Sequence, residues 1–306
     1  MPALQLPRVA HRFTEVDGLR VFYREAGPAD APVLLLLHGF PSASHQYRRL
    51  IDALGGHYRV IAPDYPGFGH SDAPATAPSG GGWTFNALAD TVEGFVRALG
   101  LDRFTLYAFD FGAPVGFRLA TRHPEWIAGL VVQNGNAYED GLSELARGFV
   151  AEAPEVPGAE ERVRGLFTLP MTRGQYEGGT SDPAAVAPEG WTLDQHFLDL
   201  PGRKDIQRDL AFDYKSNVAL YGQWQEWLRA HRPPLLVLWG TGDAFFTEAG
   251  ARAFLRDVPD AELRLFPTGH FALEEYVDEI APLIADFLDR TWAGAAARGA
   301  AGVAAR

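Results

Sequence analysis

Short apolar, β-rich runs alternate with longer stretches of helical period along most of the chain. His11–Val16 and Leu19–Glu25 read as two strands, joined by the hairpin pair Asp17-Gly18. Val33–Leu37 is apolar throughout, the pattern of a strand buried on both faces. Further strands are predicted at Arg59–Ala62, Phe104–Phe109, Ile127–Val132, Leu235–Trp239 and Ala261–Phe266. Between them, helices are predicted at Gln46–Leu54, Thr84–Leu99, Ala113–Arg122, Glu248–Arg256 and Leu273–Leu288. In the second of these, Leu88, Val92, Phe95, Val96 and Leu99 fall on one helical face. The alternation defines an α/β class: a mostly parallel sheet with helices on both faces.

The stretch from Gly135 to Pro233 breaks this rhythm. Connections in compact domains usually run about 2–8 residues, so it reads as an inserted, mainly helical cap, with helical segments at Asp205–Tyr221 and Gln223–Arg229. The expected division is a core domain at 1–134 and 231–292, a cap at 135–230, and a tail at 293–306. That tail is nearly all Ala, Gly and Arg without an apolar face, which predicts fraying or disorder.

Composition narrows the classes of function. With 47% hydrophobic and 22% charged residues among 306, the chain suits one sizeable core plus an accessory lobe. A net charge of -12, with no Lys or Arg run longer than a pair, argues against nucleic acid or an anionic membrane as partner. The absence of cysteine excludes a disulfide framework, a thiolate zinc site and a cysteine nucleophile. No His or carboxylate pair stands at metal-ligand spacing outside the groups discussed next. The start lacks a signal-peptide core, and no apolar run approaches the ~20 residues that span a bilayer, so the expected location is cytoplasmic.

Four strand ends carry the candidate chemistry. The strand Phe104–Phe109 runs into Asp110-Phe111-Gly112-Ala113, where a helix starts within about two residues. Ala108, Gly112 and Ala113 are small enough for such a turn, which presents Asp110 as a nucleophile elbow presents its serine. A lone aspartate there would more often cap the helix. The other three strand ends reverse that reading. His38-Gly39-Phe40-Pro41 follows the buried strand Leu34–Leu37, and the N–H of Phe40 with that of Phe111 would form an oxyanion hole. His38 is assigned to bracing its own loop. Asp243 lies just past Leu235–Trp239, and His270 just past Ala261–Phe266. All four lie at carboxyl ends of strands, where sites form in open parallel sheets. Nucleophile, acid and histidine follow in the order of an α/β-hydrolase triad.

At these residues the chain resembles the α/β-hydrolase superfamily, in the branch of epoxide hydrolases and haloalkane dehalogenases. The likeness extends from Thr14 to Arg290 and is weakest in the cap. The segment Asp64-Tyr65-Pro66-Gly67-Phe68-Gly69 also resembles the family's glycine-rich loop, with Asp64 in a local, structural role. The resemblance implies a hydrolase without cofactor or metal, acting on a small, apolar or moderately polar organic substrate and water. A carboxylate needs no base to attack an sp³ carbon, and the alkyl ester it forms is then hydrolysed by water activated at His270.

The leaving group separates the two activities. Haloalkane dehalogenases hold halide with a Trp beside the nucleophile and a second N–H donor; here Phe111 and Phe40 occupy those places. Epoxide hydrolases supply two cap tyrosines, for which the candidates are Tyr176, Tyr214 and Tyr221. Gln225 stands where the family's Asn-Trp-Tyr stretch would place one of the pair. Epoxide hydrolysis to a vicinal diol is therefore the preferred expectation. Carbon–halogen hydrolysis is the alternative, and a non-catalytic binding protein of the same fold is the reading from another class.

Overall fold

The computed structural model describes residues 7–304, with side chains through residue 294. Eight strands are formed: β1 (Ala10–Val16), β2 (Leu19–Ala26), β3 (Val33–Leu37), β4 (Arg59–Pro63), β5 (Phe104–Phe109), β6 (Ile127–Gln133), β7 (Leu235–Gly240) and β8 (Glu262–Phe266). They make one sheet in the order β1-β2-β4-β3-β5-β6-β7-β8. The β1–β2 hairpin and the β2–β4 pair are antiparallel. From β4 onward every pairing is parallel. Strands β5, β6 and β7 are buried at every position, as their unbroken apolar runs require.

Register sets the site. Leu37 lies opposite Ala108, Phe109 opposite Gln133, Gln133 opposite Leu238, and Gly240 opposite Phe266. The carboxyl ends of β3, β5, β6, β7 and β8 therefore finish nearly level. The residues that follow each of them, from His38 to His270, emerge along one edge of the sheet.

Eleven helices are described: α1 (Arg48–Leu54), α2 (Phe85–Ala98), α3 (Gly112–Arg122), α4 (Glu144–Val150), α5 (Ala159–Gly165), α6 (Leu169–Glu177), α7 (Glu189–Leu198), α8 (Arg203–Asp213), α9 (Lys215–His231), α10 (Glu248–Asp257) and α11 (Ala272–Ala304). Thr84 caps α2, its hydroxyl accepting from the Ala87 N–H at 3.1 Å. On one face of the sheet, α2, α3 and α10 bury Leu88, Phe95, Leu119 and Phe254. On the other, α1 and α11 bury Leu50, Ile51, Ile284 and Phe287. Each such side chain contributes about 1.5–3 kcal/mol through removal from water. Both faces are thus held shut.

Six helices, α4 to α9, lie between β6 and β7. The sequence pattern suggests a helix over Asp205–Tyr221 and a second from Gln223; the structure breaks the chain at Tyr214 instead and runs α9 straight through Gly222. The cause is local. Asp213, the last residue of α8, accepts from the Phe85 N–H at 2.8 Å through its side chain, whereas Gly222 has nothing crowding it. The predicted helix at Gln46 begins at Arg48, after a 3₁₀ turn over Ser44–Tyr47. The backbone of α11, kinked at Tyr276, runs to Ala304. The last two residues lie outside the described part. Among the described residues, no helix is long and apolar enough to cross a membrane.

Candidate active site

Strand β5 ends at Phe109 and α3 begins at Gly112, so Asp110 has to reverse the chain alone. It does so at φ +47°, a left-handed conformation that costs a non-glycine residue about 1–3 kcal/mol. Close approach on either side demands glycine. A Cβ on Gly112 would stand 2.1 Å from the Leu37 carbonyl oxygen, and one on Gly39 would stand 2.3 Å from Asp110 Cβ. The side chain of Asp110 is thereby pressed against the His38–Phe40 loop.

There the Phe40 N–H donates to Asp110 Oδ1 at 2.6 Å. The Phe111 N–H also bonds the carboxylate. Oδ2 faces His270 Nε2 at 3.7 Å, beyond a direct hydrogen bond. Burial pushes the Asp110 carboxyl from 3.8 up to about 6; the His270 charge and the two N–H donors pull it back only partly. A carboxyl raised on folding binds its proton more tightly in the folded state. Its contribution is complete below pH 3.8 and is lost as pH rises through about 6. Asp110→Asn, which cannot ionise, is therefore expected to be more stable than the parent at pH 7, by about 1–3 kcal/mol. Urea unfolding at pH 7 and pH 4 checks this: the gap should shrink at the lower pH.

His270 is oriented from behind. Its Nδ1 lies 2.7 Å from Asp243 Oδ2, which places the proton on Nδ1 and leaves the Nε2 lone pair facing Asp110. Burial works against a charged imidazole, but Asp243, its hydrogen bond and the Asp110 charge outweigh it and raise the His270 pKa. Asp243 is itself fixed by the N–H groups of Phe245 at 2.8 Å and Phe246 at 3.2 Å and by Asn134 Nδ2 at 2.8 Å. Gln133 Nε2 holds the His270 carbonyl at 2.9 Å, and Tyr107 braces Gln133 at 2.7 Å. Sequence reasoning missed Asn134. The signal was present in Asn134-Gly135, a turn pair at the end of β6 whose first member has φ +42°.

Two supporting residues lie where a structural role needs them. His38 Nε2 accepts from the Tyr65 N–H at 3.1 Å, while burial lowers its pKa to about 4 and keeps it neutral. Asp64 accepts from the Ser44 N–H at 2.7 Å and the His70 N–H at 2.9 Å, tying two loops together.

Asp110 opens onto a cleft that is partly open to solvent. Its wall is apolar: Phe40, Phe111, Ala146, Phe149, Leu166, Phe167, Met171, Ala211, Phe245 and Phe246. The polar members besides Asp110 are Tyr214, Gln175 and Gln207. Of the three candidate tyrosines, Tyr214 lines the cleft. Its ring packs on Phe85, Phe111 and Phe149. Burial raises its pKa well above 10.0, with Tyr221 and the Asp110 charge adding to the effect, so the phenol keeps its proton. Tyr221 stands behind it, its hydroxyl accepting from Asn136 Nδ2 at 3.1 Å. Tyr176 is turned away: it stacks on Phe271 at 3.9 Å and donates to Asp194 Oδ2 at 2.6 Å. Gln225 donates to the Ala137 carbonyl at 2.9 Å, outside the cleft lining.

Residues 32–276 match the alpha/beta hydrolase fold family. The chain is 42% identical over 282 residues to a haloalkane dehalogenase of Mycobacterium marinum, covering 89% of each protein. It is 39% identical over 283 residues to an uncharacterised hydrolase, YNR064C, of Saccharomyces cerevisiae, covering 89% of this chain and 94% of that one. Epoxide hydrolase 2 of Caenorhabditis elegans is 26% identical over 266 residues, 83% of this chain and 73% of that protein. The chain belongs to the α/β-hydrolase superfamily, in its epoxide hydrolase and haloalkane dehalogenase branch. It is an enzyme of this hydrolase type, and the reading as a non-catalytic binding protein gives way.

Proposed function

We propose that the protein hydrolyses epoxides to vicinal diols through an alkyl ester on Asp110. The observation carrying this is a carboxylate whose Oδ1 accepts the Phe40 N–H while Oδ2 faces His270 Nε2. Oδ2 attacks an epoxide carbon in line, its carbon–oxygen bond breaks, and the departing oxygen takes the Tyr214 proton. Oδ1 becomes the carbonyl oxygen of the ester, already in its oxyanion hole of Phe40 and Phe111 N–H groups. His270, with Nδ1–H on Asp243, removes a proton from a water that attacks the ester carbon. Collapse releases the diol and regenerates Asp110; the proton on His270 returns to the deprotonated Tyr214 through solvent. The helices α4 to α9 act as a cap over residues 135–230, and their apolar wall selects small organic substrates with little charge.

Tyr214 makes the epoxide reading testable. Tyr214→Phe keeps the ring packing and removes the proton, so ring opening should slow by about 10²–10⁴-fold, with diol formation followed by gas chromatography. An unchanged rate would remove Tyr214 from the reaction.

A second reading, hydrolysis of carbon–halogen bonds, is favoured by the name of the Mycobacterium marinum relative. It uses the same Asp110 and His270 steps. No indole lines the cleft among the described residues to hold a departing halide, whereas a phenol does. Halide release from short bromoalkanes, measured beside diol release from epoxides, separates the two.

A further inference from the structure

Arg118 is buried in α3, two turns behind Asp110, with no carboxylate on its hydrogen-bonding atoms. Its Nε donates to Asn86 Oδ1 at 2.7 Å, Nη1 to Asn217 Oδ1 at 2.7 Å and to the Pro114 carbonyl at 3.1 Å, and Nη2 to Ser216 Oγ at 3.1 Å. The guanidinium also lies over the rings of Phe85 and Trp224. A buried charge whose direct acceptors are all neutral is costly, the Asp213 charge beyond Ser216 offsets that only in part, and an apolar side chain would fill this space without the cost. Packing alone does not account for it.

Its partners surround one residue. Ser216 and Asn217 form the first turn of α9, directly after Tyr214. Ser216 Oγ in turn donates to Asp213 Oδ2 at 3.1 Å, and Asp213 receives the Phe85 N–H at the start of α2. Tyr214 thus sits at the break between α8 and α9, with Asp213 pinned on one side and Ser216 and Asn217 on the other. All of these bonds lead back to α2 and to α3, the helix that carries the Asp110 turn.

We propose that Arg118 is a positioning residue for Tyr214, holding the phenol at a fixed place relative to Asp110 by clamping the α8–α9 break to the nucleophile's own helix. This rests on the reading of Tyr214 as proton donor. Rigid placement matters because a misplacement of about 1 Å can slow a reaction by about 10²-fold. Lysine at 118 keeps the charge but can no longer reach Asn86, Asn217 and Ser216 together, since it lacks the planar fork. Asn217 offers a milder handle. Its Nδ2 has no partner, so Asn217→Asp keeps the acceptor and removes an orphaned donor, whereas Asn217→Ala removes the acceptor.

The test is a double-mutant cycle on epoxide turnover, with kcat and KM measured separately. Arg118→Lys and Asn217→Ala should each lower kcat by about 10-fold or more with little change in KM. Asn217→Asp should retain the parent rate. In a Tyr214→Phe background, Arg118→Lys and Asn217→Ala should change kcat by less than about 2-fold, because the group they place is gone. Equal losses with and without Tyr214 would overturn the proposal and leave Arg118 a stability residue. If Arg118→Lys fails to fold, the Asn217 pair decides alone. If Tyr214→Phe itself leaves kcat unchanged, the donor reading fails instead, which is a separate result.

Discussion

With His270 replaced by glutamine, the protein should react with a single equivalent of epoxide and then stop. Attack by Asp110 Oδ2 needs no base, so the first half of the reaction proceeds. Hydrolysis of the ester needs a proton removed from water, and Nε2 is the group facing that carboxyl, at 3.7 Å. Steady-state turnover should fall by about 10⁴-fold or more, while the mass of the protein rises by that of one substrate molecule. Glutamine approximates the size of imidazole, which limits collapse around Phe109 and Phe271, whose rings pack against His270. Peptide mapping should place the added mass on the segment that contains Asp110. Protein that turns over freely without His270, or that gains mass elsewhere, would contradict the assignment of the base.

Asp110→Ala should abolish both the adduct and the turnover, with a loss of about 10⁵-fold or more against the parent. On the proposed mechanism Asp110 is the nucleophile, and no neighbour can replace it. The other carboxylate near the centre, Asp243, is held by Phe245, Phe246, Asn134 and His270 and is turned to the far side of the imidazole. The variant should also fold well, since it discards a buried carboxyl whose ionisation burial opposes. An inactive but more stable protein is the signature expected of a functional group placed against the interest of the fold. Lost activity accompanied by lost structure would carry no such meaning, so circular dichroism belongs beside the kinetics.

The strand-end arrangement that brings Asp110, Asp243 and His270 together was legible because strand periodicity and turn chemistry are local properties. Val33–Leu37 and Phe104–Phe109 announce buried strands, and the small residues around Asp110 announce a tight turn that few other arrangements require. Which tyrosine faces the cleft was not legible. Tyr176, Tyr214 and Tyr221 are equally plausible on a helical wheel; the choice is made by Asp194, which draws Tyr176 away, and by the break at Tyr214. That break has no local signal, because the Asp213 carboxylate at the end of α8 accepts from an N–H group on α2, more than a hundred residues earlier. Gln175 and Gln207 escaped notice for a similar reason: their place in the cleft depends on how six inserted helices pack, and a glutamine in a helix carries no periodic mark. Arg118 carries no mark in the sequence that sets it apart from a surface arginine. Its partners Asn86, Ser216 and Asn217 come from two other helices.

The most direct test of a covalent route through Asp110 is a single turnover in water labelled with heavy oxygen, with enzyme in excess over epoxide. If Asp110 is the nucleophile, the first diol released carries an ordinary oxygen taken from the protein, and the heavy isotope appears in the peptide containing Asp110. A first-turnover diol that bears the heavy oxygen, with no label in that peptide, would mean that water attacks the substrate directly.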